Sequence, residues 1–315
     1  MKLMKSITIL IPCYNEEDNI CDLLQRLNLA CSSLAEIEWC LLFVNDGSTD
    51  HTLELLKGFI HSDCSWCRAS VIDFARNFGK EAALIAGFDH FEGDCCIVMD
   101  ADLQHPPELL PEMIRIWLEG ADLVSATRRV QSGSQGFRKL PSRLFYRVFR
   151  STSKLNIPLD SSDFRLLDRA VVNAIRDCRE RIRFSKGFFA WAGFTNSIIH
   201  YDQPERIHGV AKWSSWKLWN YGLDGIFNFT TAPLRVWSYL GVVITAISFG
   251  FGFAALVNTL LHGVDVPGYA SIFIAVTFLG GIQLVGIGVL GEYIGRTYLE
   301  VKRRPLYLIR EVHQK

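Results

Sequence analysis

Two stretches toward the C-terminal end, Val236–Leu261 and Tyr269–Gly291, contain no Lys, Arg, Asp or Glu. A helix needs about 20 apolar residues, each rising about 1.5 Å, to cross the hydrocarbon core of a bilayer, and both stretches meet that length. A chain with two such segments is expected to form a transmembrane hairpin, with spans at 236–261 and 269–294, rather than two buried core helices. The basic residues set its direction. Arg235 precedes the first span and Lys302, Arg303, Arg304 and Arg310 follow the second, whereas the connecting segment His262–Gly268 has neither Lys nor Arg. Basic flanks stay on the cytoplasmic side. The residues before the hairpin and the tail 295–315 are therefore both expected at the cytoplasmic face of the inner or plasma membrane, in a multi-pass protein.

Residues before the hairpin mix charge and hydrophobicity as a globular domain does. Met1–Pro12 lacks a long apolar core and is expected to run straight into a strand rather than to form a signal peptide. Ser6–Ile11 is a β-rich run ending at Pro12, and Asn15–Leu29 places Ile20, Leu23, Leu24 and Leu27 on one helical face. The unit then repeats: strand patterns at Trp39–Val44, Ser70–Phe74 and Cys95–Met99 alternate with helical patterns at Thr49–Ile60, Asn77–Phe88 and Pro107–Glu119. Alternating strands and helices, without the strict polar alternation of a half-solvated sheet, predict a parallel α/β sheet. Ligands of such sheets bind at the carboxyl ends of the strands. The polar clusters Tyr14–Asp18, Asp46–Asp50, Arg76–Lys80 and Asp100–His105 all fall there. The expected division is a catalytic domain over 1–211, a juxtamembrane segment over 212–235, the two spans and the tail.

Asp100-Ala-Asp102-Leu-Gln104 follows a buried run directly, so two carboxylates and an amide stand where a strand has just ended. Hard oxygen ligands of this kind suit Mg²⁺ or Mn²⁺ held together with substrate phosphates. An Asp-x-Asp alone is often a solvated turn; the buried strand before it and the polar loops beside it favour the metal reading. Pro12-Cys-Tyr-Asn-Glu-Glu17 and Asn45-Asp46-Gly47-Ser48-Thr49-Asp50 each also read as a turn with a helix cap.

Together with Arg76-Asn-Phe-Gly-Lys80-Glu, Asp100-Ala-Asp-Leu-Gln-His-Pro-Pro107, Ala126-Thr-Arg128-Arg, Asp163-Phe-Arg165 and Gly291-Glu-Tyr-Ile-Gly-Arg296, these motifs make nearly the whole chain resemble family 2 polyisoprenyl-phosphate glycosyltransferases. The likeness extends to the bactoprenol glucosyltransferases and dolichol-phosphate mannose synthase. It implies a GT-A, Rossmann-like α/β catalytic domain followed by a two-helix transmembrane hairpin. It further implies that Pro12, Tyr14, Glu16 and Asp46 line the nucleoside pocket, that Asp100, Asp102 and Gln104 surround the metal, and that Arg128, Arg165 and Lys212 lie near phosphates or sugar. The implied reaction is inverting transfer of one hexose from a nucleotide-sugar, glucose from UDP-glucose foremost, to undecaprenyl or another polyprenyl phosphate. GDP-mannose and UDP-amino-sugars are the alternative donors. A homo-oligomer, a tetramer in the family, is implied as well.

The chemistry agrees with the likeness. A nucleoside diphosphate leaving group gains negative charge as the sugar bond breaks, and a divalent cation with basic side chains stabilises it. A phosphate acceptor with a second pKa of about 6 is largely deprotonated at neutral pH, so no strong general base is required. Asp163 is the first candidate for positioning acceptor or sugar, with a structural ion pair to Arg165 as the alternative. Arg138, Arg143 and Arg147 lie in a basic amphipathic stretch, 138–154, which reads as a membrane-surface and acceptor-phosphate element in preference to a solvated helix face. Trp213, Trp216, Trp219 and Tyr221 suit an interfacial aromatic belt, with core packing as the alternative. Gly280, Gly281, Gly286, Gly288 and Gly291 favour close helix contact.

Other classes lose support. The 33 basic residues are matched by 33 acidic ones and no nucleic-acid motif is present, so no nucleic-acid partner is expected. No Gly-x-Ser-x-Gly elbow or phosphate loop supports a hydrolase or kinase. No Gln-x-x-Arg-Trp segment supports a processive polysaccharide synthase. Intact Asp100, Asp102, Gln104 and Arg165 weigh against a non-enzymatic membrane scaffold. The nine cysteines all precede the spans and read as reduced cytosolic thiols.

Overall fold

The structure is a computed structural model that describes residues 4–34, 36–62, 66–129, 161–183, 185–202, 227–228, 230–262 and 268–314. It divides into two compact units, residues 1–222 with 304–315, and residues 223–303.

The first unit is built on an eight-stranded sheet in the order β7-β5-β6-β4-β1-β2-β3-β8. The strands are β1 (Lys5–Cys13), β2 (Ile37–Asn45), β3 (Cys67–Phe74), β4 (Cys95–Val98), β5 (Leu123–Arg128), β6 (Ser161–Asp168), β7 (Asn196–Tyr201) and β8 (Ile309–Gln314). The helices of this unit are α1 (Glu17–Ser32), α2 (Thr52–His61), α3 (Lys80–Asp89), α4 (Leu110–Leu118, after a short 3₁₀ turn), α5 (Arg169–Asp177) and α6 (Ser185–Trp191). Side chains alternate across β1. Ile7, Ile9 and Ile11 enter a core with Ile20, Leu23 and Leu27 of α1, Leu56 of α2 and Met113 of α4. Leu10 enters the opposite core with Leu84, Ile85 and Phe88 of α3 and Val171 of α5. A central strand buried on both faces has to read as a continuous apolar run, which is why the alternation of a half-solvated sheet is missing.

The expectation of a parallel sheet holds for β3, β2, β1 and β4. It fails at two strands: β6 runs antiparallel to both β4 and β5, and β8 runs antiparallel to β3. β8 matters for topology. The chain leaves this unit, forms the second one and comes back to supply the edge strand beside β3, where Tyr307 stacks on Phe74 at 5.3 Å and its hydroxyl donates to Asp89 at 2.7 Å.

The second unit holds two long helices, α7 (Ala232–His262) and α8 (Tyr269–Val301). Within them Ala232–Ala254 and Phe278–Val301 are long and apolar enough to cross a membrane. Phe249, Phe251 and Phe253 on α7 and Leu284 and Ile287 on α8 are exposed, an outward apolar surface that suits lipid rather than water. The Tyr293 hydroxyl donates to the Thr230 carbonyl at 2.8 Å, Arg296 donates to Asn228 at 2.8 Å, and Trp237 packs over Gly286.

Candidate active site

The loops after β1, β2, β3 and β4 are knitted together at the carboxyl edge of the sheet. Asn15 donates its backbone N–H to Ser48 Oγ at 3.0 Å and accepts from the Thr49 N–H at 2.8 Å, while Glu16 N–H donates to Thr52 Oγ1 and Glu17 N–H to Asp50 Oδ2. The second and third loops are joined by Asp46. It is buried, and its two carboxylate oxygens accept from the backbone N–H groups of Phe78 at 2.6 Å and Gly79 at 2.9 Å. Burial pushes the Asp46 pKa up while these two N–H groups pull it down. Gly47 makes the crossing possible. Its φ is +65°, and a Cβ there would stand 2.6 Å from the Asn77 nitrogen.

The third and fourth loops meet through Lys80, whose ammonium lies 2.5 Å from Asp100 Oδ1 and 2.7 Å from Asp163 Oδ2. Burial opposes its charge, but the two carboxylates outweigh that and hold it protonated far above the usual lysine range. The acidic loop itself is tightly wound. The Asp100 backbone N–H donates to His105 Nδ1 at 3.0 Å, the Gln104 N–H donates to Asp102 Oδ1 at 3.1 Å, and Leu103 takes φ +60° with its side chain buried. A non-glycine residue in the left-handed region is strained and persists where its surroundings fix it.

His105 accepts at Nδ1, so its proton sits on Nε2, and the ring stacks on Phe164 at 5.1 Å. Burial lowers its pKa below the ordinary value. The unfolded chain takes up a proton as pH falls through about 6.5, while folded His105 resists until a lower pH. Stability is thus complete above that value and is lost on acidification, by up to about 1.4 kcal/mol per pH unit for one proton. Melting of the protein between pH 7.5 and 5.5 is expected to fall more steeply than that of His105→Gln; parallel curves would contradict this assignment.

The remaining residues singled out in the sequence are placed as follows. Asp163, on β6, faces Lys80. Arg165, two residues on, is buried, donates from Nε to the Ser162 carbonyl at 3.3 Å and lies over the Phe189 ring at 4.5 Å. Tyr14 is exposed after β1, Pro12 is half-buried near the end of β1, and half-buried Glu16 accepts from the Asn19 amide at 2.7 Å. Arg128 is exposed at the end of β5. Arg138, Arg143, Arg147 and Lys212, with the aromatic stretch 213–221, lie outside the described residues.

The sequence placed Lys80 and His105 in the polar clusters and Glu81 in a motif but assigned none of them a role; Glu81 accepts from the Ser185 hydroxyl at the start of α6. Lys80 is the first residue of α3, where the helix dipole disfavours a cation, and the two carboxylates offset that. The described cysteines form no disulfide, and burial raises the thiols of Cys13, Cys31 and Cys96 well above their usual range, Cys31 to about 12.

A mixed α/β sheet carrying an Asp-x-Asp loop on its carboxyl edge, with polar loops from the neighbouring strands gathered around it, defines a glycosyltransferase of the GT-A class. The chain belongs to Glycosyl transferase family 2, whose profile matches residues 8–176. It is 46% identical to an uncharacterized glycosyltransferase of Synechocystis sp. over 97% of this chain and 95% of that one. It is 41% identical to the prophage-derived bactoprenol glucosyl transferase of Shigella flexneri over 98% of both chains. Among solved structures, S. aureus TarS 1-349 in complex with UDP-GlcNAc aligns at a TM-score of 0.46 and 18% identity, covering 67% of this chain and 62% of that one.

Proposed function

We propose that this glycosyltransferase moves one hexose, glucose from UDP-glucose, onto undecaprenyl or another polyprenyl phosphate, with inversion, at the cytoplasmic face of the inner or plasma membrane. The observation that carries this reading is that one chain joins an acidic carboxyl-edge site, built on Asp100, Asp102 and Asp163, to two helices apolar enough for a bilayer. Such a chain suits a polar donor and an acceptor anchored in lipid. The full-length likeness to bactoprenol glucosyl transferases supports the same acceptor. Strand β8 supports the topology: residues before and after the hairpin share one sheet, as a hairpin with both ends on one side of the membrane requires, and the basic residues after the second span favour the cytoplasm.

Asp100, Asp102 and the Gln104 amide fit Mg²⁺ or Mn²⁺. Among the described residues no group of three or more His, Cys, Asp or Glu side chains forms a cage of its own, which suits a cation held jointly by carboxylates and donor phosphates. When bound, the cation offsets the charge of the departing diphosphate. Pro12 near the end of β1, with Tyr14, Glu16 and Asp46 on the loops beyond the strands, stands where a nucleoside would rest, Asp46 by fixing the third loop. Asp163 positions the acceptor or sugar. Arg128, Arg165 and Lys212 are assigned to phosphates or sugar, and Arg138, Arg143 and Arg147 to the membrane surface and the acceptor phosphate. Gly280, Gly281, Gly288 and Gly291 of α8 would bring an added Cβ near no other atom of the described residues, leaving room for a second copy in a homo-oligomer.

The test is acceptor-dependent release of nucleoside diphosphate from a panel of UDP- and GDP-sugars by the detergent-purified protein. Release of UDP from UDP-glucose that requires polyprenyl phosphate is expected. Preference for GDP-mannose or a UDP-amino-sugar would change the donor; release indifferent to the lipid would remove the acceptor.

A further inference from the structure

The lysine that joins Asp100 to Asp163 has a role that the donor and acceptor assignments do not cover. Lys80 is anchored from behind, because Asp46 fixes the two residues before it through the Phe78 and Gly79 backbone N–H groups. Its ammonium is thereby delivered between two carboxylates, one in the loop after β4 and one on β6, that are each about one third exposed, 27% for Asp100 and 31% for Asp163. Asp100 is also the first carboxylate of the Asp-x-Asp loop. Lys80 contacts Oδ1 of that carboxylate, while Oδ2 stands 3.9 Å from His105 Nε2, so a cation drawn to Asp100 meets the ammonium already there. Asp102 and Asp163 both act electrostatically on His105 alongside Asp100 and Lys80, so these groups share one field.

We propose that Lys80 is a resident counter-cation of the site, holding Asp100 and Asp163 together in the absence of donor and competing with the incoming divalent cation for Asp100. The competition keeps the metal from binding tightly on its own and makes its retention depend on donor phosphates, which supply the ligands that Asp100 shares with the ammonium. Once displaced from Asp100, the ammonium stays on Asp163, on the side of the site assigned to acceptor or sugar, as a positive charge available to a phosphate oxygen. Lys80 is thus a positioning residue for both carboxylates. The inference rests on reading this edge as the donor-phosphate site and is independent of which sugar or lipid is used.

The test is Mn²⁺ binding to the full-length, detergent-purified protein without nucleotide, followed by the electron paramagnetic resonance signal of free Mn²⁺. Removing a unit positive charge at this range strengthens binding of a divalent cation, so Lys80→Met is expected to bind Mn²⁺ about tenfold or more tightly than the unaltered protein while losing about a hundredfold in turnover. Lys80→Arg, which keeps the charge, should stay within about threefold of the original affinity. A residue that merely supports the fold would weaken both binding and turnover. Unchanged or weaker Mn²⁺ binding in Lys80→Met overturns the proposal, as does absence of Mn²⁺ binding in every form. Should Lys80→Met fail to fold, judged by its melting curve, Lys80→Gln carries the same expectation. Tighter Mn²⁺ binding without any transfer to polyprenyl phosphate would instead remove the acceptor reading and leave the role of Lys80 standing.

Discussion

Asp100→Asn is expected to lower kcat/KM for sugar transfer by about a thousandfold, roughly 4 kcal/mol of transition-state stabilisation, while leaving the melting temperature within a few degrees. The substitution keeps the size of the side chain. It also keeps the bond to His105 Nδ1, since the donor there is the backbone N–H of Asp100. What it removes is a carboxylate charge that serves Lys80 and, on the proposed reading, the divalent cation. The loss should fall on kcat more than on KM, because the leaving diphosphate gains charge only as the bond breaks. Steady-state kinetics beside a thermal melt separate the outcomes. A loss below tenfold would deny this loop its role at the leaving group, and a collapsed melt would make the residue structural.

The second large effect is expected at Gly47. Alanine there must adopt φ +65° and place its Cβ 2.6 Å from the Asn77 nitrogen and 2.8 Å from the Arg76 Cα. Left-handed backbone costs a non-glycine residue about 1–2 kcal/mol. The clash adds to that, because backbone cannot rotate away as a side-chain tip can. Relief by moving the third loop would break the bonds from Asp46 to Phe78 and Gly79 and shift Lys80. Gly47→Ala should therefore cost about 3 kcal/mol or more, a fall in melting temperature on the order of 10 °C for a domain of this size, together with loss of nucleotide-dependent stabilisation. Gly58→Ala is the matched control. That glycine lies in α2 with nothing within 4 Å of an added Cβ, so alanine should be neutral or stabilising by up to about 1 kcal/mol. Equal melts for the two variants would contradict the account of the loop crossing.

Much of the first half of the sheet was legible in the sequence, and the reason is local. β1 to β4 are buried on both faces and are separated by helices with their own apolar stripe, so period and composition mark each one; Trp39–Val44 was expected and Ile37–Asn45 is found. The loops at their carboxyl ends were legible too, since a polar cluster directly after a buried apolar run marks where a strand leaves the sheet. The antiparallel strands were not. Ser-Ser-Asp-Phe-Arg-Leu-Leu-Asp of β6 reads as a charged motif because Asp163 and Arg165 interrupt the apolar pattern, yet Phe164, Leu166 and Leu167 are fully buried between β4 and β5. β8 is a short, mostly polar edge strand, and position alone made it look like a basic tail. The partners of Lys80 were illegible for another reason: Asp100 and Asp163 are far along the chain, and no local pattern records a contact made by sheet order.

The central claim, transfer of a single sugar to a lipid-borne phosphate, is tested most directly by the mass and phosphorus coupling of the organic-phase product made from UDP-glucose and undecaprenyl phosphate, with Asp102→Ala run beside the unaltered protein. The account predicts one product, heavier than the lipid phosphate by a single hexose, joined through phosphate to the sugar C1 with inverted configuration, and missing in the variant. A ladder of added hexoses, or no extractable product from any donor while the protein stays folded, would contradict it and transfer the weight to a polymerising enzyme or a membrane scaffold.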